Sequence, residues 1–205
     1  MEGYVSRDNI RLIRSIFEGM IPRVREDMHD EGISFNCNLV GSAKRNLVIQ
    51  HPTKGIDCDY QIIIQKNKKN LTPQRIKELF RLSFNKHRPY GLSPCENSTS
   101  ALTIKQKDET HSRVVFSFDI AIIKIRNGIY EIIRRTSGNN FTWNQLRDMA
   151  GFYERYNLIS DSRMWNDLRT RYYEKKIKQM NGDDSRKSFQ LLNEAVNETL
   201  QFFGQ

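Results

Sequence analysis

The segment Val114-Val115-Phe116-Ser117-Phe118-Asp119-Ile120-Ala121-Ile122-Ile123 sets one carboxylate among residues that favour buried strands. An ionised carboxylate in such surroundings is unfavourable unless a cation or a set of donors compensates it. The same conflict occurs earlier. Asp57-Cys58-Asp59 lies in the apolar run from Ile56 to Gln65, and Gly41-Ser42 ends the apolar run before it. The simplest single compensator for three such acids is Mg²⁺, which takes carboxylate oxygens together with substrate phosphates. The plainer accounts are local: Arg113 or Arg126 would satisfy Asp119 as an ion pair, and Asp57 with Asp59 would flank a turn or meet a neighbouring lysine.

Strand geometry supports the cluster. Residues i and i+2 point to one face, roughly 6.6–7 Å apart, so Asp57 and Asp59 share a face while Cys58 and Tyr60 turn away. Asp119 on a neighbouring strand completes a set able to hold two Mg²⁺ ions roughly 3.5–4 Å apart. Gly41 lets the backbone approach a phosphate without a Cβ in the way, and Ser42 offers a hydroxyl and a helix-start amide. Lys44 and Arg45 stand close by for triphosphate charge.

The rest of the chain reads as an α/β (α+β) protein. Ser6 or Asp8 caps one long amphipathic helix, with Ile10, Ile13, Phe17, Met20, Ile21 and Val24 at helical spacing and Gly32 at its end. Ile33 to Val40 forms a first strand. A short helical turn and a loop fill 43–54, with His51 and Pro52, and Ile56 to Gln65 follows as a central strand. Thr72-Pro73 starts a helix with Ile76, Leu79, Phe80 and Phe84 on its buried stripe, and Pro89 and Gly91 stop it. Strands at Ser98–Gln106 and Arg113–Ile125 flank a polar turn at 107–110, and Asn127-Gly128 marks a hairpin, so the sheet is mixed and largely antiparallel. From Trp143 onward the pattern turns helical, near 143–156, 161–181 and 185–203, with Gly182 closing the second helix. Phe189, Leu192, Val196, Leu200 and Phe203 make the stripe of the third. The expected division is 1–140 as the catalytic layer and 141–205 as a helical portion.

Charge points to a polyanionic partner. The formal net charge is +9, and residues 1–140 hold 23 of the 33 basic and 15 of the 24 acidic side chains. A nucleoside triphosphate or a nucleic acid fits; basicity for solubility alone is the plainer account. Lys66 to Lys69 reads as a solvated turn that could also touch a nucleic-acid backbone. Cys37, Cys58 and Cys95 have no metal-ligand spacing and read as reduced, mostly buried thiols, while His29, His51, His87 and His111 read as surface residues. Tyr172 or Tyr173 packs inward, with Lys175 and Lys176 facing water. No stretch approaches the roughly 18 apolar residues of a membrane span, and the first residues lack the pattern of a signal peptide, so the expected location is cytoplasmic, with no membrane partner.

Gly41-Ser42, then Asp57-Cys58-Asp59, then Asp119 resembles the signature of the polymerase-β-like nucleotidyltransferase superfamily over residues 36–123. Asn127-Gly128 followed by Thr142-Trp143 is similar to the strand, hairpin and Trp-containing segment of the branch with oligoadenylate synthases, cyclic GMP-AMP synthase and their bacterial relatives. The resemblance implies a mixed sheet backed by helices, Mg²⁺ or Mn²⁺ as cofactor, and ATP or another NTP as donor to a hydroxyl acceptor, with release of pyrophosphate. Asp57, Asp59 and Asp119 would be catalytic and metal-binding, with Gly41, Ser42, Lys44 and Arg45 at the donor. The acceptor stays open: a nucleotide, giving a second messenger; a partner protein or RNA, as in toxin–antitoxin pairs; or none, in an idle nucleotide- or RNA-binding protein.

Overall fold

The computed structural model describes residues 3–51, 55–108, 110–136, 140–160 and 162–205. Pro52, Glu109 and Asp161, in the expected loop, turn and second C-terminal helix, lie outside them. Two compact units divide the chain, one of Tyr4–Leu146 and one containing Arg147–Gln205.

Pro22 divides what apolar spacing presents as one N-terminal helix. α1 runs Arg7–Glu18 and α2 runs Ile21–Asp30. Pro22 has no amide proton to return to the carbonyl of Glu18, and its ring crowds that turn, whereas at the start of a new helix neither defect matters. Ser6 is the cap of α1, accepting from the amide of Asn9 at 3.2 Å.

Strand β1 (Ile33–Val40) runs into a single helical turn, α3 (Gly41–Lys44), and β2 (Ile56–Asn67) returns antiparallel beside β1. Thr72 caps α4 (Pro73–His87) through the amide of Arg75. Then come β3 (Glu96–Asn97), β4 (Leu102–Asp108), β5 (Arg113–Arg126), β6 (Ile129–Arg135) and β7 (Phe141–Gln145). Long β5 organises the sheet. Its Phe116–Lys124 stretch pairs in parallel with β2, while its other edge takes β4 along Arg113–Ile120 and β6 along Ile123–Arg126, both antiparallel. Asn127 and Gly128 both have positive φ, 51° and 77°, as a tight hairpin turn requires.

The segment from Trp143, expected as helix, is strand β7, pairing with β6 from Phe141↔Arg135 to Gln145↔Glu131. A free edge on β6 satisfies the backbone of Thr142 and Trp143, two β-favouring residues, better than a helix start does. Helices resume at α5 (Ala150–Ser160), α6 (Trp165–Asn181) and α7 (Ser188–Phe202), and Gly182 ends α6 in the left-handed region. The buried stripe of α7 is Leu191, Leu192, Ala195, Val196, Thr199 and Leu200; Phe189 is exposed at 38% and meets Phe152 edge-on at its rim. Tyr172 packs inward, but Lys175 does not face water, because it bridges Glu194 and Glu198 of α7.

One face of the sheet carries Cys58, Tyr60, Ile62, Phe118, Ile120 and Ile122 into the core beneath α1, α2 and α4. Phe17 of α1 is its centre, with ring centroids 4.1 Å from Tyr60, 5.2 Å from Phe118 and 5.5 Å from Phe84. Each such ring contributes roughly 1.5–3 kcal/mol by burial. All three thiols are pushed up to about 12, chiefly by burial, and are inert at neutral pH. His87, contrary to its expected exposure, lies between α4 and α2 against Asp27, which also accepts from Ser83 and Lys86 at 2.7 Å. No helix among the described residues is long and apolar enough to cross a membrane.

Lys77 of α4 is the core's least expected member. It is 1% exposed, donates to the Ser98 carbonyl at 2.8 Å and stands 4.7 Å from the centre of the Phe141 ring. Burial, with the nearby charge of Arg135, lowers its pKa to about 8. Between pH 8 and the ordinary lysine value of 10.5 the unfolded chain then binds the proton that the folded chain has released. Stability should therefore rise with pH across that window and be flat in this respect below it. Lys77→Met should abolish the rise with little loss of Tm at pH 7; a wild-type Tm that does not rise relative to this variant between pH 8 and 10 refutes the assignment.

Candidate active site

The parallel register of β2 and β5 decides where the acids stand. Asp59 lies directly beside Asp119, and Asp57 beside Ser117. On its other edge Asp59 faces Val40, the residue before Gly41, and Asp119 faces Thr103 of β4. Two rows therefore cross the sheet on the side away from the core: Thr103, Asp119, Asp59 and Val40 in one, Lys105, Ser117 and Asp57 in the other. Cys58 and Tyr60 are buried on the opposite face, as the two-residue period requires.

Each acid is held differently. Asp57 is exposed and accepts a short hydrogen bond from Ser117 Oγ at its Oδ1. Asp119 accepts from Thr103 Oγ1 at 2.5 Å. Neither proposed arginine is its ion-pair partner; Arg113 instead reaches Asp108 at 3.4 Å. Burial pushes the Asp119 carboxyl above its ordinary value; the Thr103 bond opposes the rise, the charge of Asp57 adds to it and Lys105 pulls it down. Lys105 is itself drawn to Glu96 at 2.7 Å.

Gly41 is seated on Asp59. Its φ is +68°, and a Cβ built there would overlap Oδ2 of Asp59 and stand 3.0 Å from its Cγ. The Gly-Ser turn and the second acid of the pair are thus in van der Waals contact, which no residue with a side chain allows. Arg45 Nη1 donates back to the Gly41 carbonyl at 3.0 Å, so this side chain braces the turn. Lys44 is exposed on the same short helix, and the Ser42 carbonyl accepts from the amides of Arg45 and Leu47.

The donor set is all oxygen, the kind Mg²⁺ takes, and it carries negative charge that no ion pair of Asp57 or Asp119 neutralises among the described residues. The oxygen donor types suit a divalent cation, but their placement does not surround one. As they stand, no three acid, histidine or cysteine side chains among the described residues are gathered closely enough to hold a metal. Asp57 and Asp119 are turned onto their hydroxyl partners. Thr103 and Ser117 were not singled out from the sequence; both sit at alternate positions of strands, but only the pairing register shows which acid each one meets.

No protein-family model and no curated protein matches the sequence. Solved structures do. The cyclic AMP-GMP synthase DncV of Vibrio cholerae, in complex with the linear intermediate 5′ pppA(3′,5′)pG, superposes with a TM-score of 0.70 at 12% identity, over 97% of this chain and 68% of that one. This chain has the fold of DncV. The DncV complex with GTP and 5MTHFGLU2 gives 0.69 at 11% identity, covering 97% and 70%, and the 3′-deoxy ATP bound form gives 0.58 at 16%, covering 88% and 50%. The chain thus spans between 50% and 70% of these DncV chains. The mixed sheet with flanking helices and a helical C-terminal part agrees with the fold that the strand and helix pattern predicts and that the resemblance implies.

The contact between Gly41 and Asp59 is testable by stability alone. Gly41→Ala should destabilise the protein by roughly 1–3 kcal/mol, part from a positive φ forced on alanine and part from the collision with Asp59. In an Asp59→Ala background the same substitution should cost less, because the overlap with Oδ2 and Cγ is gone and only the positive φ and the 3.1 Å approach to the Cβ remain. Urea denaturation of the four proteins measures this, and equal costs in both backgrounds refute the contact.

Proposed function

We propose that the chain is a nucleotidyltransferase that moves a nucleoside monophosphate from an NTP, ATP in the first instance, to a hydroxyl acceptor and releases pyrophosphate. The observation that carries this reading is the placement of Asp57, Asp59 and Asp119 on one face of two adjacent strands with Gly41 packed on Asp59. The fold shared with DncV supports it.

In this reading the acceptor oxygen attacks the α-phosphorus in line with the bond to the β-phosphate oxygen. The new P–O bond forms as the old one breaks, and pyrophosphate carries away the electron pair. Asp119, whose carboxyl burial pushes above its ordinary value, takes the proton of the acceptor hydroxyl. Gly41 lets the main chain lie close to the donor phosphates, and Ser42 with the amides of the α3 turn hydrogen-bonds to them. Lys44, exposed on α3, would offer its ammonium to the triphosphate, while Arg45 acts through the turn that it braces. Asp57 and Asp59 would hold two divalent cations and Asp119 one of them; such ions, when bound, offset charge on the attacking oxygen and on the leaving pyrophosphate. Loading them asks the Asp57 and Asp119 carboxylates to meet from their present hydroxyl-bonded positions.

DncV is a cyclic AMP-GMP synthase caught with a linear dinucleotide, which favours a second nucleotide as acceptor here and a nucleotide second messenger as product. A second reading, an RNA- or nucleotide-binding protein without turnover, has the basic excess of residues 1–140 in its favour; a protein or RNA acceptor of the toxin–antitoxin kind shares that support. Incubation with the four NTPs and Mg²⁺ or Mn²⁺, with and without RNA, separates these by mass spectrometry of the products. The expected result is pyrophosphate release with a linear or cyclic oligonucleotide, and Asp57→Asn or Asp119→Asn should lower the rate by at least roughly 100-fold with Tm nearly unchanged. Equal rates in wild type and both variants refute the reading, and tight NTP binding without any product favours the second one.

A further inference from the structure

A line of register partners crosses the sheet from the Gly41 turn to the opposite edge: Val40, Asp59, Asp119, Thr103 and, last, Glu96 of β3. Partners in register stand on one face, so Glu96 shares the side of the acids. In the transfer reading the pyrophosphate leaves at the Gly41 end and Asp119 takes the proton of the acceptor hydroxyl. In-line displacement sets the attacking group opposite the leaving group. The body of the acceptor therefore extends from Asp119 over β4 towards β3, and Glu96 stands two strand spacings away, roughly 10 Å. That is within reach of a nucleoside whose sugar hydroxyl lies at Asp119.

Glu96 forms an ion pair on this face with Lys105, at 2.7 Å, and half of its side chain is exposed. Lys105 lies one row on, beside Ser117 and Asp57, and its charge is felt at Asp119. An exposed pair of this kind contributes little to stability. Its backbone is nevertheless firmly held. Two cations grip the three residues after Glu96: Arg135 Nη2 donates to the Asn97 carbonyl at 2.9 Å, buried Lys77 to that of Ser98 at 2.8 Å, and the Arg135 amide to that of Thr99 at 2.7 Å. On β4 the Lys105 amide donates to Ser93 Oγ at 3.0 Å, and the Lys105 carbonyl accepts from the Ser93 amide at 2.7 Å. A carboxylate and an ammonium are thus presented side by side where the acceptor extends.

The pair has no net charge, so it does not attract a phosphate. It offers an acceptor-only group beside a donor-only group, which is the complement of a nucleobase edge. Guanine alone among the four bases sets two N–H groups, at N1 and N2, next to an oxygen acceptor, O6. One carboxylate takes both N–H groups and a neighbouring ammonium takes O6. We propose that Glu96 and Lys105 select a guanine nucleotide as the acceptor; the inference rests on the nucleotidyl-transfer reading above.

The test is transfer from an α-labelled NTP, ATP first, to GTP or to inosine triphosphate, which is GTP without the N2 amine, beside a thermal melt. Wild type should use GTP with a kcat/KM roughly 10-fold above that for inosine triphosphate. Glu96→Gln, whose amide cannot accept both N–H groups, should lower the GTP value by roughly 10–100-fold and bring the two acceptors within a few-fold of each other. Lys105→Met should lower both about equally, since O6 is common to them. Tm should stay near that of wild type in both variants. A merely structural role would depress both acceptors together in Glu96→Gln and leave their ratio as it was. Equal use of the two by wild type, an unchanged ratio in Glu96→Gln, or transfer only to acceptors other than guanine nucleotides overturns the selection alone. Wild-type protein that releases no pyrophosphate from any pair of NTPs overturns the transfer reading, and the selection falls with it.

Discussion

Asp59 and Asp119 stand side by side because β2 and β5 run parallel in one particular register. Neighbouring strands are roughly 4.8 Å apart, a separation at which two carboxylates on one face repel. A pairing slipped by a single residue would set one acid against the aromatic core instead. The core forbids that slip: Cys58, Tyr60 and Phe118 fill the space beneath α1, and Phe17 contacts both of the latter rings. Apolar packing on one face of the sheet thus enforces charge crowding on the other.

Two of the three acids are met by hydroxyls. Ser117 and Thr103 give one hydrogen bond each, and the remaining negative charge has no ion-paired lysine or arginine at Asp57 or Asp119 among the described residues. A structural ion pair would have stabilised the fold more simply. In the proposed function a cation at these acids would offset that charge, the usual trade of stability for function at a binding centre. The same economy appears at Gly41, where a left-handed backbone and a missing side chain let the turn after β1 lie against Asp59.

Much of this was legible residue by residue. The alternation through Asp57, Cys58 and Asp59, the Thr72 cap before Pro73, the Asn127-Gly128 turn and the Gly182 stop are local signals, and each element they mark is present. The misreadings have one cause. A single helix from a Ser6 or Asp8 cap to Gly32, a helix beginning at Trp143 and a surface position for His87 all followed from periodicity or composition, and each was overruled by a contact or a backbone constraint that periodicity does not weigh. Pro22 carried the signal for the helix break, but the apolar stripe ran through it unbroken. Trp143 went to the free edge of β6, and His87 to Asp27 sixty residues away.

The chain's order of residues by itself determined which side chains share a face, which turns are tight and where three acids sit among apolar neighbours, because those follow from fixed backbone periods and from the conformational limits of glycine, proline and asparagine. Only the tertiary structure decided that positions 59 and 119 are neighbours, that Gly41 closes on the first of them, and that Thr103 and Ser117 are the groups bonding the acids. Those facts depend on strand register between segments up to sixty residues apart, and register is set by the packing of the whole core, which no local pattern encodes.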